Sequence, residues 1–291
     1  MLADIPPQLI ALAAALSYAT SGISAKRGMR YSTPITVTLV SLTIHAISLW
    51  TILLLTQGVP AVPGWALVLF FITGTLQPLI RWFTYSGIHY MGASRGTTIR
   101  GANPLFSTLL AIFVLGERAD LAIVLGTCSI VAGVTLISWQ PAPQGGSHEW
   151  RHIGFPLAAA VLAGVSHPIR RHALGIANQP LYFAAVVGLV SLCWMCGYLL
   201  SPFTTERPLW HRQALPPFLL AGTFETLGIV LVIAALSVGQ VVLVSPIVAT
   251  SPLWILLGTR LFLRGIEALT LRTVIGAVCV VSGTIAIALV R

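Results

Sequence analysis

The chain has 291 residues, of which 56% are hydrophobic and only 8% are charged, and its mean hydropathy is +0.92. Soluble domains carry about 25% charged residues, so a soluble fold of this length would lack the polar side chains needed to cover its surface. The net charge of +9 comes almost entirely from arginine. In so apolar a chain it indicates contacts with membrane lipids and a few buried arginines, and not a nucleic-acid partner.

Ten apolar segments follow one another along the chain, and each approaches the roughly 20 residues that a membrane-spanning helix requires. Arg95 and Arg100 interrupt the fourth segment, which makes it the least regular. The N-terminus has no basic region that would indicate a cleavable signal peptide. The predicted helices are Gln8–Ala25, Thr33–Thr56, Gly64–Tyr90, Ala93–Leu115, Ala119–Ser138, Gly154–Ile169, Pro180–Leu200, Leu215–Ser237, Gly239–Leu263 and Ala268–Val290.

The two halves of the chain, residues 1–139 and 153–291, resemble each other across a polar connection at residues 140–152. Each half holds five predicted helices, and because five is odd the second half enters the membrane from the opposite side. Inverted repeats of this kind are typical of transporters, which hold their substrate between the repeats. We therefore predict an all-α membrane protein of ten transmembrane helices in two inverted five-helix repeats. The matching segments are Gly74–Gln77 with Gly222–Glu225, Gly101–Phe106 with Val248–Trp254, Gly126 and Gly133 with Gly276 and Gly283, and Lys26-Arg27 with Arg170-Arg171.

Several motifs carry a resemblance to a known family. They are the stretch Tyr85–Gly96, the pair Asn103-Pro104, the segment Leu115-Gly-Glu-Arg118 and the glycines of Leu125–Gly133, with a degraded second copy from Ala235 to Gly283. The sequence resembles the drug/metabolite transporter superfamily, in its ten-helix EamA-type branch. The resemblance implies a multi-pass protein of the plasma (inner) membrane with both termini in the cytoplasm, whereas the basic residues of the connections favour the opposite orientation. It does not indicate one substrate, because the family carries amino acids, other metabolites, nucleotide-linked sugars and toxic cations.

Ionisable side chains at membrane depth cost at least about 2.5–3.5 kcal/mol to insert, so they usually face a cavity or a partner. Glu225 lies near the middle of the eighth predicted helix, and its counterpart in the first repeat is Gln77. Arg81 lies one turn after Gln77 on the third predicted helix. These residues predict either a polar cavity at the membrane midplane or an Arg81–Glu225 ion pair that joins two helices. The candidate substrate-binding residues are Gln77, Arg81, Tyr85, Arg100, Asn103, Glu225, Tyr18 and Trp82.

Pro104 and Pro252 occupy matching positions in the fourth and ninth predicted helices. A proline inside a helix frees a backbone carbonyl and can kink the helix, so these two are candidate gating positions. They are equally compatible with an ordinary structural role, since proline is common in membrane helices. His45, His89 and His167 lack the spacing of a metal site, and we expect hydrogen-bonding or packing roles for them and no cofactor.

The last predicted helix of each half contains one pair of glycines that are seven residues apart. Residues seven apart share one helix face, and small residues there allow two backbones to approach closely. We therefore predict close contacts at these glycines, either inside the bundle or between the protomers of a homodimer. The residues are Gly126, Gly133, Gly276 and Gly283.

The leading function is secondary transport, driven by a gradient or by exchange, because the sequence has no nucleotide-binding motif. Arg81 and Arg100 favour a carboxylate ligand, and Glu225 could meet an ammonium group or carry a proton. We therefore expect export or exchange of a small polar metabolite, such as an amino acid or a related carboxylate. The alternative is a multidrug or amine exporter that uses Glu225 as its cation or proton site. A membrane-embedded enzyme is disfavoured, since paired helix aspartates are absent and no motif indicates a serine nucleophile with its histidine.

Overall fold

The computed structural model describes residues 5–91, 96, 99–117, 120–138, 150–202, 204, 206–262 and 271–289, and contains no strand within them. Five of its helices, α1, α2, α3, α7 and α8 below, are long and apolar enough by themselves to cross a membrane. A short 3-10 turn, Trp150–Ile153, precedes the second half. The helices are α1 (Pro7–Gly28), α2 (Pro34–Thr56), α3 (Gly64–Met91), α4 (Asn103–Leu115), α5 (Leu121–Ser138), α6 (Gly154–Ile176), α7 (Pro180–Leu200), α8 (Leu215–Val238), α9 (Val241–Val248), α10 (Ser251–Phe262) and α11 (Leu271–Ala288).

Local sequence explains where several of these helices begin and where α4 ends. Proline lies in the first turn of α1, α2, α4, α7 and α8, where its missing N–H would have had no helical partner. At the end of α4, Gly116 adopts a left-handed conformation with φ of 67°, which glycine reaches without a steric penalty. The following Glu117 N–H then donates to the Ala111 carbonyl at 3.1 Å.

The sixth predicted helix, Gly154–Ile169, is about two turns shorter than the helix in the structure. α6 continues past Ile169 to Ile176, and it carries Arg170 into the interior, where only 4% of the residue is exposed. Arg170 therefore does not belong to a basic connection and does not bear on the membrane orientation. The turn residues lie later, since Asn178 and Gln179 precede the proline that starts α7.

The ninth predicted helix is two helices, not one. α9 ends at Val248 and α10 begins at Ser251, with Ala249 and Thr250 forming a turn between them. A matching turn at residues 101–102 precedes α4 in the first half. The hydrogen bonds agree, because the N–H of Ala102 and that of Thr250 each donate to the carbonyl three residues earlier at 3.1 Å. Discontinuous helices at matching places in two repeats are a feature of transporter binding sites.

The packing of the helices follows the two-fold relation between the halves. α1 packs against α8 just as α6 packs against α3, and α5 packs against its own counterpart, α11. One pair of side chains repeats the relation in detail. Lys26 of α1 donates to the last carbonyls of α3, at Ile88 and His89, and Arg171 of α6 donates to the last carbonyls of α8, at Leu236 and Ser237. The fold is therefore two five-helix repeats whose helices are interleaved into one bundle.

The predicted glycine contact is confirmed, and it lies within one chain. A Cβ added to Gly133 would stand 2.5 Å from the Gly276 carbonyl oxygen, and one added to Gly283 would stand 2.5 Å from the Gly126 carbonyl oxygen. α5 and α11 thus approach so closely that backbone meets backbone at two levels of the bundle. This contact joins the last helix of one repeat to the last helix of the other.

Candidate functional site

A small cavity lies where α1, α3, α8 and α10 meet beside the break that precedes α4. Its volume is about 20 Å³. That is room for about one water molecule, so in this conformation the cavity is closed to larger molecules. The polar residues that line the cavity are Tyr18, Ser21, Thr84, Tyr85, Arg100, Glu225 and Ser251. The sequence-predicted residues Tyr18, Tyr85, Arg100 and Glu225 are therefore brought together here.

Glu225 accepts a hydrogen bond from a serine hydroxyl group. Its Oε2 accepts from the Ser21 Oγ of α1 at 3.0 Å, and this Oγ lies 3.5 Å from the Tyr85 hydroxyl of α3. A carboxylate, a serine and a tyrosine from three different helices thus form one chain of polar contacts. Ser21 was not among the sequence-predicted residues, because a lone serine in a helix rich in Ala and Ser carries no distinguishing pattern.

Arg81 is fully buried, with 1% of the residue exposed, but it does not pair with Glu225. Its Nη1 donates to the Ser41 Oγ of α2 at 2.9 Å. Within the described part of the chain its Nε and Nη2 have no hydrogen-bond partner. The ion pair that the sequence offered as an alternative to a cavity is therefore not formed in this conformation.

Gln77 lies one turn before Arg81 on α3 and binds a second arginine. The Nη2 of Arg170 donates to the Gln77 Oε1 at 2.7 Å, and both residues are buried. Because Gln77 is one turn from Arg81, the Arg170 guanidinium lies beside the part of α3 that carries Arg81. Arg170 is therefore a third guanidinium of this region, and it was missing from the candidates because the predicted end of the sixth helix placed it in a connection. The polar centre, as the term is used below, consists of Gln77, Arg81, Tyr85, Arg100, Arg170 and Glu225.

Arg100 and Asn103 flank the break before α4. The Arg100 guanidinium lies 5.8 Å from the centroid of the Tyr18 ring, a cation–π contact. The Arg100 Nε and the Asn103 Oδ1 are both buried, and neither has a partner among the residues that the structure describes. Asn103 does not line the closed cavity, and neither do Gln77 and Arg81. Arg81 lies one turn before Tyr85, and Asn103 lies three residues after Arg100, and both of these partners line the cavity.

Trp82 lies on a different surface of α3. It lines an apolar crevice of about 600 Å³ together with Pro78, Leu79, Trp194 and Tyr198. The crevice lies between α3 and α7 and is separate from the cavity around Glu225. Trp82 follows Arg81 by one residue, which turns it about 100° around the helix axis. The structure therefore does not bring Trp82 together with the other candidates.

The two candidate gating prolines stand at helix starts. Pro104 is the second residue of α4 and Pro252 is the second residue of α10. Each therefore follows a break, where its missing N–H costs little, and does not kink a continuous helix.

A second polar cluster lies close to the first. The Nδ1 of His167 on α6 is 3.1 Å from the Ser245 Oγ of α9, and this Oγ is 2.5 Å from the Ser107 Oγ of α4. All three residues are buried. The expected hydrogen-bonding role of His167 is confirmed, and a Ser–His contact that no sequence motif indicated is present. The cluster ties both broken helices to α6, the helix that carries Arg170.

A wider polar groove opens at the end of the bundle where α4 and α6 finish. It measures about 630 Å³, and its lining includes Glu117, Arg171, His172 and Gln240. The Glu117 carboxylate accepts from the N–H groups of Val241 and Val242, both at 3.1 Å, at the start of α9. An anionic side chain suits the positive end of a helix dipole. Glu117 therefore anchors the broken helix of the second half to the first half.

Comparison with known proteins agrees with this architecture. A crystal structure of another protein aligns over 98% of this chain and 99% of its own with a TM-score of 0.72 and 19% identity, a likeness that shows the fold alone. No curated protein matches the sequence. The profile of the EamA-like transporter family matches residues 6–139 and again residues 151–289. These two matches cover most of the chain and coincide with its two halves, and the chain therefore belongs to the EamA-like transporter family, whose members are multi-pass membrane transporters of the drug/metabolite type.

Proposed function

We propose that the protein is a secondary transporter that exports or exchanges a small polar metabolite bearing a carboxylate, such as an amino acid, across the plasma (inner) membrane. The observation that carries the proposal is the grouping of three arginines, Arg81, Arg100 and Arg170, with the carboxylate that lines the cavity, Glu225. Arg100 lines the cavity together with Glu225, Arg81 lies one turn before the cavity residue Tyr85, and Arg170 bonds to Gln77 one turn before Arg81. Each guanidinium retains at least one buried N–H without a partner among the described residues. A planar guanidinium offers its donors to a carboxylate in a matching fork.

The charges also explain why an amino acid would be accepted. An ammonium group can approach Glu225, whose described hydrogen bond comes from Ser21, while the carboxylate approaches the arginines. Both charges of a zwitterion then find partners in a site of low dielectric constant, which limits the cost of desolvation. A hydrophobic cation is less suitable, because three guanidinium groups would repel it.

The closed cavity has room for about one water molecule, so a metabolite can enter only after the helices around it move. The broken helices beside the cavity and the interleaved repeats suit such a movement, in which one repeat rocks against the other around the site. Glu117 holds the start of α9 and would move with it.

The proposal is tested with purified full-length protein in liposomes loaded with unlabelled amino acids. Uptake of labelled amino acids and carboxylates is measured for the wild type, Arg81→Gln, Arg100→Gln and Glu225→Gln. We expect both arginine variants to lose most carboxylate exchange. Arg27→Gln, at the exposed end of α1, is the matched control and should exchange like the wild type. Unchanged exchange of every carboxylate in both arginine variants, with cation efflux abolished by Glu225→Gln, would support the amine-exporter alternative.

A further inference from the structure

The charges of the polar centre do not balance. Arg81, Arg100 and Arg170 supply three positive charges and Glu225 supplies one negative charge, so the set carries a net charge of +2 when ionised. Arg81 and Arg170 are at most 4% exposed, and Arg100 is half-buried beside the closed cavity. Buried charges are stable when they are paired, and no ion pair joins any of these arginines to a carboxylate among the described residues.

The hydrogen-bonding groups of the polar centre are also unbalanced, because donors without a partner outnumber acceptors without a partner. Among the described side chains, the buried guanidine nitrogens without a partner are Nε and Nη2 of Arg81, Nε of Arg100 and Nε of Arg170. The unpartnered buried atoms that can only accept are Oδ1 of Asn103, beside the break before α4, and Oε2 of Glu206, in the connection between α7 and α8. A ligand that completes this centre must therefore bring several acceptor oxygens and more negative than positive charge.

The unpartnered donors lie on separate elements. Arg81 is on α3, Arg170 is on α6, and Arg100 lies just before the break that precedes α4. A phosphate group concentrates its acceptor oxygens at one point, whereas two carboxylates on a short carbon chain can reach donors that come from different helices. This distribution favours a ligand with two separated carboxylates.

Resting on the proposed function, we infer that the preferred substrate is a small dicarboxylate, with or without an amino group, and that Arg170 is the residue that selects for the second carboxylate. A net charge of −2, as in succinate, matches the centre fully. An acidic amino acid carries a net charge of −1, but it places its ammonium near Glu225 and both carboxylates among the arginines. Gln77 positions Arg170 by accepting from its Nη2, which leaves the Nε for the ligand.

The inference is tested with pairs of solutes that differ by one charge at nearly constant shape. Aspartate is compared with asparagine, and succinate with succinamate, as inhibitors of exchange by full-length protein in liposomes. We expect the dicarboxylate of each pair to inhibit at roughly tenfold to hundredfold lower concentration, the range for a hydrogen bond to a charged group. Arg170→Gln should reduce this ratio to near one, Arg170→Lys should keep part of it, and Arg27→Gln should leave it unchanged.

The outcomes separate the two proposals. If asparagine and aspartate inhibit equally in the wild type, the dicarboxylate inference fails while carboxylate transport stands. If a phosphate monoester of similar size inhibits more strongly than succinate, the preference for two carboxylates fails. If no carboxylate is exchanged, both proposals fail. The wild-type ratio decides the matter even when Arg170→Gln does not fold, and a ratio that survives in a folded Arg170→Gln protein would remove Arg170 from the selection.

Discussion

The contact between α5 and α11 leads to a quantitative prediction about Gly133. Changing Gly133 to alanine adds one methyl group whose carbon would stand 2.5 Å from the Gly276 carbonyl oxygen and 2.8 Å from both the Cys279 Cβ and the Val280 backbone nitrogen. Ordinary contacts between carbon and a carbonyl oxygen lie at about 3.3–3.6 Å. Two of these three neighbours are backbone atoms, so the strain can be relieved only by moving the helices apart.

The expected cost follows from overpacking. Forcing an extra methyl group into a well-packed contact costs about 1–3 kcal/mol. Gly197→Ala is the matched control, since it is also a helical glycine and no described atom lies within 4 Å of its added Cβ. This control should be neutral or should stabilise by up to about 1 kcal/mol, the helix propensity difference between glycine and alanine. The free energies of unfolding of the two variants should therefore differ by at least about 1 kcal/mol.

The assay is the thermal stability of detergent-solubilised full-length protein, followed by size-exclusion chromatography after heating. For a chain of 291 residues, an unfolding entropy of about 2.1 cal/mol/K per residue makes 1 kcal/mol correspond to a change in Tm of roughly 1.5–2 °C, so Gly133→Ala should melt at least that far below Gly197→Ala. Gly283→Ala should act similarly, and the two effects should add, because the second contact lies two turns away. Equal melting of Gly133→Ala, Gly197→Ala and the wild type would refute the close contact of α5 and α11.

Two further predictions concern residues outside the cavity. Glu117→Gln keeps one acceptor oxygen for the N–H groups at the start of α9 but removes the negative charge, so we expect a loss of about 1–2 kcal/mol and a lower Tm in the same heating assay. Stability equal to that of the wild type would contradict this anchoring role. Trp82→Leu should leave substrate affinity in exchange assays within about twofold of the wild type, whereas Tyr18→Leu should weaken it several-fold through the lost cation–π contact. An equal loss in both variants would place Trp82 at the binding site after all.

Much of the fold could be predicted from the sequence, because lipid imposes a strong requirement. Every backbone group within the membrane must find an internal partner, so long apolar segments must be helices, and the matched motifs of the halves then indicate repeats. The break before Ser251 could not be seen this way, since apolar residues continue on both sides of it. Before Asn103 the sequence shows a polar interruption at Arg100, but not that the helix ends there in a turn. Proline at a helix start and proline at a kink look the same in a sequence, and only the backbone distinguishes them.

The site was predictable only where a side chain is unusual for its surroundings. Arg81 and Glu225 stand out as charges within apolar helices, and both lie at the polar centre. Arg170 does not stand out, because the sequence His167–His172 contains three arginine or histidine residues beyond Pro168 and reads as a helix end. Ser21 and Ser41 are ordinary helix residues until the packing places them beside Glu225 and Arg81.

The helices and their contacts, which form the frame around the site, are repeated in both halves of the chain, whereas the charges of the site are not. These two features serve different purposes. The helix breaks, the glycine contacts and the bonds from Lys26 and Arg171 to helix ends occur in both repeats, so inward and outward openings would use equivalent contacts. A site with the same symmetry would present every charge twice and would suit only a symmetric ligand. Each charge instead lies in one repeat, so the centre can fix the orientation of an asymmetric solute while the frame around it alternates. The counterparts of Arg81, Arg100 and Glu225, 148 residues away, are Ile229, Val248 and Gln77. The equivalent bonds of Lys26 and Arg171 shift the sequence pairing of Lys26-Arg27 with Arg170-Arg171 by one residue, so the counterpart of Arg170 is Ala25.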